Sequence, residues 1–319
     1  MQRKFFLGCV GLIGSAAACW AQVQRPVLGY MPEGGSIRTI YGLPASGAIG
    51  PAAALARDLA HAAVAPDGSF AVAVTADGGQ PVVVAVGGSA MQVDTVQGTL
   101  GGADRVVLSP RGSAALVGNS SGAFQVITGL PSAGVVKLKL DSSIIGAAAA
   151  IGDDGQWVVS TTAGGVTAYG RGGESIPIPI SGAVTAVAFL QGKQDIVVTT
   201  ASEVTMIADI AGAANRTTLF APPPGTPAPS ESPIAVAMSA DNNHLVLVEP
   251  SGGIGHINLT TGAVTVVDCQ CAPEGLFSLG GAVFRLTGIN GGAAQVFDAS
   301  SDSVWFVPLA LEAAAGGAQ

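Results

Sequence analysis

The chain has 319 residues, 49% of them hydrophobic and only 11% charged, with 21 acidic against 13 basic side chains and a net charge of −8. Four lysines cannot make a phosphate-tracking surface, which excludes nucleic acid as a partner, and so acidic a chain is equally ill suited to anionic membranes. At this length about three quarters of the unfolded surface is buried on folding, so stability requires neither disulfide bonds nor metals.

The first segment, MQRKFFLGCVGLIGSAAACWA (1–21), has the three-part layout of a secretory signal peptide. Arg3 and Lys4 precede an uncharged run from Phe5 to Ala18, and Cys19-Trp20-Ala21 is an A-x-A-like cleavage site. The run is too short for the roughly 20 residues of a membrane span. Cleavage after Ala21 makes the protein secreted or periplasmic, with lipid anchoring at Cys19 as the minor alternative; no leucine stands where a lipoprotein signal prefers one. The mature chain then carries 11 basic and 21 acidic residues.

Next comes PVLGYMPEGGSIRTIYG (26–42), a hairpin about Glu33-Gly34-Gly35. Pro51 to Ala63 is the nearest approach to a helical window, but it is alanine-rich and short, and no window holds a helical period over three turns. From about residue 60 to 310 a unit of about forty residues recurs. Its first two strands align as AAVAPDGSFAVAV (62–74), RVVLSPRGSAALV (105–117), AAAAIGDDGQWVV (147–159), TAVAFLQGKQDIVV (185–198), AVAMSADNNHLVLV (235–248) and LFSLGGAVFRL (276–286). The turn positions Gly68, Gly112, Gly155, Gly192, Asp241 and Gly280 are spaced by 44, 43, 37, 49 and 39 residues, and the long interval holds the proline-rich insert PPPGTPAPSESP (222–233). Four short strands per unit with Gly-rich turns is the pattern of a β-propeller.

The turns APDG (65–68), SPRG (109–112) and GDDG (152–155), each followed by a β-branched strand, resemble those of the YVTN and WD-type repeat propellers. The likeness covers residues 60–310; the Trp-Asp dipeptide is absent and the later repeats lose the proline. It implies a fold and not a function, because the YVTN-type proteins include lactonase-like and other hydrolytic propellers beside non-catalytic ones.

Strands one and two of each unit are continuous apolar runs, the pattern of strands buried between neighbouring blades. The fourth strand alternates, as in VVKLKLD (135–141), or carries prolines, as in SIPIPI (175–180), and so belongs on the outer edge. The uncharged stretch between Glu174 and Lys193 therefore reads as two strands with a turn at Ser181-Gly182, and not as a membrane span. The expected fold is an all-β propeller of seven four-stranded antiparallel blades, the N-terminal hairpin forming a thin seventh blade beside SVWFVPLA (303–310). Six blades with an added edge hairpin is the alternative. Residues 311–319 read as a frayed tail.

Little in this frame points to chemistry. G-x-S-x-G occurs at Gly118–Gly122, but Ser120 falls between two strands and not at a strand-to-helix elbow. His61 is placed before the first strand of its unit, His244 at the opening of a second strand and His256 in a third, each as a single satisfied histidine. No metal-ligand spacing joins them, and no metal or cofactor is expected. Asp67, Asp153-Asp154 and Asp241 read as turn residues that bond their own backbone. The sequons at Asn119, Asn215 and Asn258 depend on the host.

Asp58, Asp104, Asp141 and Glu274 recur in the links leading into first strands, which gather at one mouth of a propeller channel; they read as solvated loop charges or, alternatively, as carboxylates that attract a cation or a basic partner. Cys269 and Cys271 in VVDCQCAPEG follow an outer strand. Cys9 and Cys19 leave with the leader, so the pair is expected to form a disulfide in an exported chain, with free or intermolecular thiols as the alternative. The leading functional reading is an exported, non-catalytic propeller that serves as a binding or scaffolding module for another protein or a small extracellular ligand. The rival is a lactonase-like hydrolase with its site at the channel mouth.

Overall fold

The computed structural model describes residues 25–310 other than 88–90, 120–122, 133–134, 142–145, 147, 163–164, 222–230 and 290–291, and for 135–141 only the backbone. The expected leader with Cys9 and Cys19, Ser120, most of the proline-rich insert and residues 311–319 lie outside the described residues.

The chain folds as seven sheets in a ring, an all-β seven-bladed propeller. Blade one holds β1 (Val27–Glu33), β2 (Ser36–Tyr41) and β3 (Ala48–Ala52). Blade two holds β4 (Leu59–Val64), β5 (Phe70–Thr75), β6 (Pro81–Ala85) and β7 (Gln92–Thr95). Blade three holds β8 (Arg105–Leu108), β9 (Ala114–Gly118), β10 (Ala123–Thr128) and β11 (Val135–Asp141); blade four holds β12 (Ala149–Ile151), β13 (Trp157–Thr162), β14 (Gly165–Gly170) and β15 (Ser175–Ile178). Blade five holds β16 (Val184–Phe189), β17 (Ile196–Thr200), β18 (Val204–Ala208) and β19 (Asn215–Phe220). Blade six holds β20 (Ala235–Met238), β21 (His244–Val248), β22 (Gly253–Asn258) and β23 (Val264–Asp268); blade seven holds β24 (Phe277–Gly280), β25 (Val283–Arg285), β26 (Ala293–Asp298) and β27 (Ser303–Pro308). Within every blade the strands pair antiparallel in chain order, the first innermost and the last at the rim.

The apolar runs explain this layering. Second strands are buried along their whole length in β5, β9 and β17, because neighbouring blades cover both faces. First strands are only partly buried, as in β8, which corrects the expectation that both are equally covered: one face of a first strand borders the channel. The proline-bearing β15 and the alternating β11 lie at the rim as expected, where proline forfeits no ladder bond. The uncharged stretch contributes β15 and β16, with Gly182 at φ +95° in the link between them. Among the described residues no helix is long and apolar enough to cross a membrane.

The core is not one mass. Seven clusters of buried side chains each join two adjacent blades: blades one and two meet through Tyr30, Ile37 and Val82, and blades seven and one through Ile49, Leu279 and Val307. Those two clusters close the ring. The N-terminal blade has the third strand β3, which the hairpin reading did not include, and a short 3-10 turn at Pro44–Ser46. Three strands instead of four has a topological consequence. The chain must enter β4 at the same mouth as every other first strand, so β1 runs in the opposite direction to its neighbours. Gly29 near its start packs on Leu279 at the end of β24, whereas Gly35 past its end accepts a bond from the Leu59 N–H at the start of β4. At the rim Leu309 forms a parallel bridge to Ile49, and the Ala310 N–H donates to the Ile49 carbonyl.

Candidate functional site

The seven first strands surround a central cavity of about 370 Å³. Its wall is built from Ala62, Val106, Ala149, Val187, Met238 and equivalent small or aliphatic residues of each inner strand, with Tyr30 and Pro32 from β1. Its two ends differ. One, the turn mouth, carries the tight turns between strands one and two. The other, the link mouth, receives the crossings from each rim strand.

At the turn mouth backbone and side chains knit successive blades together. The Asp153 carboxylate accepts from the Arg111 N–H at 2.7 Å and the Gly192 N–H at 2.6 Å, joining blades three, four and five. Asn242 accepts from the Gln191 N–H at 2.7 Å and donates to its carbonyl at 2.9 Å, and the Ala240 N–H donates to the Gly281 carbonyl at 3.0 Å, which carries the chain of bonds to blade seven. Asp67, Asp154 and Asp241 cap their own turns as the sequence suggests, while Asp153 instead bonds two neighbouring turns. Gln191 lines the cavity here, and its Oε1 is buried without a partner.

At the link mouth stands Arg285, the only lysine or arginine in a second strand of the six repeats. It pairs across the sheet with Phe277, and its guanidinium lies 4.0 Å above that ring. One Nη1 hydrogen goes to the Thr287 carbonyl at 2.7 Å; the Nε–H is buried without a partner. The side chain lines both the central cavity and a side cavity of about 250 Å³ walled by Glu33, Gly35 and His61, although the residue is only 5% exposed. Burial pulls its pKa down to about 10, against the opposing pull of Glu274 and Glu33, so it stays protonated at neutral pH. Glu33 is itself ion-paired with Arg38. Gln191 Oε1 and Arg285 Nε are the two buried side-chain polar atoms without a partner among the described residues, and both residues line the same channel.

Three of the acidic residues singled out stand in links that lead into first strands. Asp58, Asp104 and Glu274 are exposed on three separate links and none lines the central cavity; Asp141 ends β11, and its side chain lies outside the described residues. Glu274 acts on Arg285 by its charge. Among the described residues no group of three or more His, Cys, Asp or Glu is placed to hold a metal ion.

Two histidine readings need correction. His61 lies inside β4 and not before it, at a bulge opposite β5. His244 and His256 are not separate: His244 Nδ1 meets His256 Nε2 at 2.9 Å, and His256 Nδ1 meets Asp302 Oδ1 at 2.6 Å, with the Thr265 hydroxyl donating to the same carboxylate oxygen at 3.0 Å. The sequence hid this because Asp302 comes from the β26–β27 turn of the next blade. The cysteines behave as expected: Cys269 and Cys271 form a disulfide with Cα atoms 5.1 Å apart. The bend is made at Gln270, whose φ is +51° and whose N–H is held by Asp268.

No protein-family model matches the sequence, and no curated protein is significantly similar to it. Solved structures resemble it in fold alone. A functionally unknown protein from Desulfotomaculum acetoxidans superposes with a TM-score of 0.60 at 15% identity, over 88% of this chain and 95% of that one. Sqt1 of Saccharomyces cerevisiae superposes at 0.52 with 12% identity, over 89% and 86%.

Proposed function

We propose that this is an exported, non-catalytic propeller that binds a small extracellular ligand in its central channel. The observation that carries the reading is the apolar cavity bordered by all seven inner strands, with unsatisfied buried polar atoms on two of the residues that line it. Buried polar groups are nearly always paired, so a pair of orphans around one cavity favours a guest that supplies the missing partners. The disulfide and the signal-like leader support an oxidising, extracytoplasmic location.

The hydrolase alternative, drawn from the YVTN-type resemblance, finds less support. The channel serines are committed to turns: Ser239 Oγ donates to Asp241 and accepts from the His244 N–H, Ser109 Oγ accepts from the Ala114 N–H, and Ser278 Oγ accepts from the Gly280 N–H. Among the described residues none of the three is bonded to an imidazole that could activate it. A thermal-shift screen of amphipathic small molecules, run beside an activity screen on lactones and esters, tests the reading. Stabilisation by a channel ligand without turnover is expected, and clear turnover overturns it.

A further inference from the structure

We infer that the channel takes a singly charged carboxylate with an apolar body, its carboxylate bound by the Arg285 guanidinium. This rests on the channel being the binding site, and it adds the chemical class of ligand.

Arginine stays charged in proteins, and a buried charge is costly without a counter-ion and hydrogen bonds. Among the described residues no carboxylate forms an ion pair with Arg285; Glu274 and, less strongly, Glu33 act on it only at longer range, and Glu33 is bound to Arg38. One face of the guanidinium is covered by Phe277 and one hydrogen is taken by Thr287. The Nε–H is buried without a partner among the described residues, and the side chain as a whole borders both cavities. An N–H edge of this kind is the fork that receives a carboxylate in two parallel bonds. One negative charge suits it better than two, because Glu33 and Glu274 already oppose part of its field.

The body of the ligand is set by what lies beyond the arginine. Ala62, Val106, Ala149 and Val187 offer no polar side-chain atom, so the length of the channel takes a hydrocarbon portion. The five residues from Ala62 to Pro66 include four that border the cavity and span about 13 Å at ~3.3 Å per step, enough for a chain of several carbons. Gln191 Oε1, near the opposite end, accepts a hydrogen bond from a guest or from water.

The test is isothermal titration of the purified protein at pH 7 with sodium octanoate, 1-octanol and inorganic phosphate. Octanoate should bind in a 1:1 ratio, octanol about tenfold or more weaker, and phosphate not at all. Arg285→Met keeps the length and removes the charge; it should lose about tenfold or more of the octanoate affinity while leaving octanol little changed. Equal binding of octanoate and octanol to the unaltered protein, or undiminished octanoate binding by Arg285→Met, overturns the carboxylate assignment and leaves the channel reading standing. Binding of neither probe overturns both. Should Arg285→Met fail to fold, the comparison of octanoate with octanol on the unaltered protein still decides, together with the ¹⁵N shift of the Arg285 Nε–H on adding octanoate. A shift supports the contact, and no shift at saturating octanoate refutes it.

Discussion

His256 shows how a residue that looks idle in the sequence can be tied to its surroundings at every polar atom. It is 4% exposed, with Phe297 edge-on to its ring and His244 stacked beside it. Its Nδ1–H donates to Asp302 across the interface of blades six and seven, which leaves Nε2 to accept from His244. Asp302→Ala should cost about 1–3 kcal/mol in urea unfolding, the usual penalty for orphaning a buried donor, although Asp302 itself is partly exposed. The cysteine pair is different in kind. Its loop is so short that the chain-entropy model assigns it only about 1.6 kcal/mol, so the double Cys269→Ala, Cys271→Ala variant should remain folded with a modestly lower Tm. Mass spectrometry without reductant should find the peptide two hydrogens lighter than the dithiol.

Among the elements, large side chains repeatedly cover a glycine directly across the ladder: Phe124 over Gly118, Trp157 over Gly170 and Leu247 over Gly255. A methyl group on Gly118 or Gly255 would collide with its partner and one on Gly170 would press on Trp157, so the pairs help pin register. A different device acts on β18 and β19 of blade five. Glu203, in the turn before β18, accepts from the Thr205 hydroxyl at 2.6 Å and the Thr218 hydroxyl at 2.8 Å. The Thr205 bond is the larger cause, with Thr218 next, of a carboxyl held below the ordinary glutamate range. A depressed carboxyl stabilises the fold at neutral pH, and that stability fades as pH falls through the folded value. Thr205→Val should therefore shrink the acid-side loss by less than about 1 kcal/mol, given the exposure of Glu203, and unfolding followed from pH 7 to 3 checks it. These rim and edge features were half visible in the sequence. The alternation of VVKLKLD and the prolines of SIPIPI mark outer strands locally, but which hydroxyls would meet Glu203 depends on pairing between strands fifteen residues apart.

For the whole molecule the decisive contact is ring closure. The N-terminal blade has only three strands of its own, with a reversed inner strand, and its union with blade seven rests on Met31, Ile40, Ile49, Leu279 and Val307. Ile49 is fully buried, forms the bridge to Leu309 and accepts from the Ala310 N–H. Ile49→Ala should cost about 2–5 kcal/mol, and amide exchange should quicken first in β1–β3 and β27 if closure is the weakest seam. Uniform loosening of all seven blades would refute that order of opening.

The sequence by itself determined the propeller. A repeat of about forty residues cannot bury its strands alone, so the units must stack, and the period, turn residues and edge-strand signals followed from local chemistry. It also placed the disulfide, since two cysteines so close have few other partners if the chain is exported as proposed. Tertiary structure alone decided the three-stranded closing blade and its reversed β1, because strand parity is a property of the closed ring. It alone brought Asp302 to His256, and Asp153 to two neighbouring turns. The same holds for Arg285, which the sequence shows as one charge in an apolar run. Only folding placed it beside a channel with an unsatisfied N–H, since burial and missing partners are set by all seven blades together.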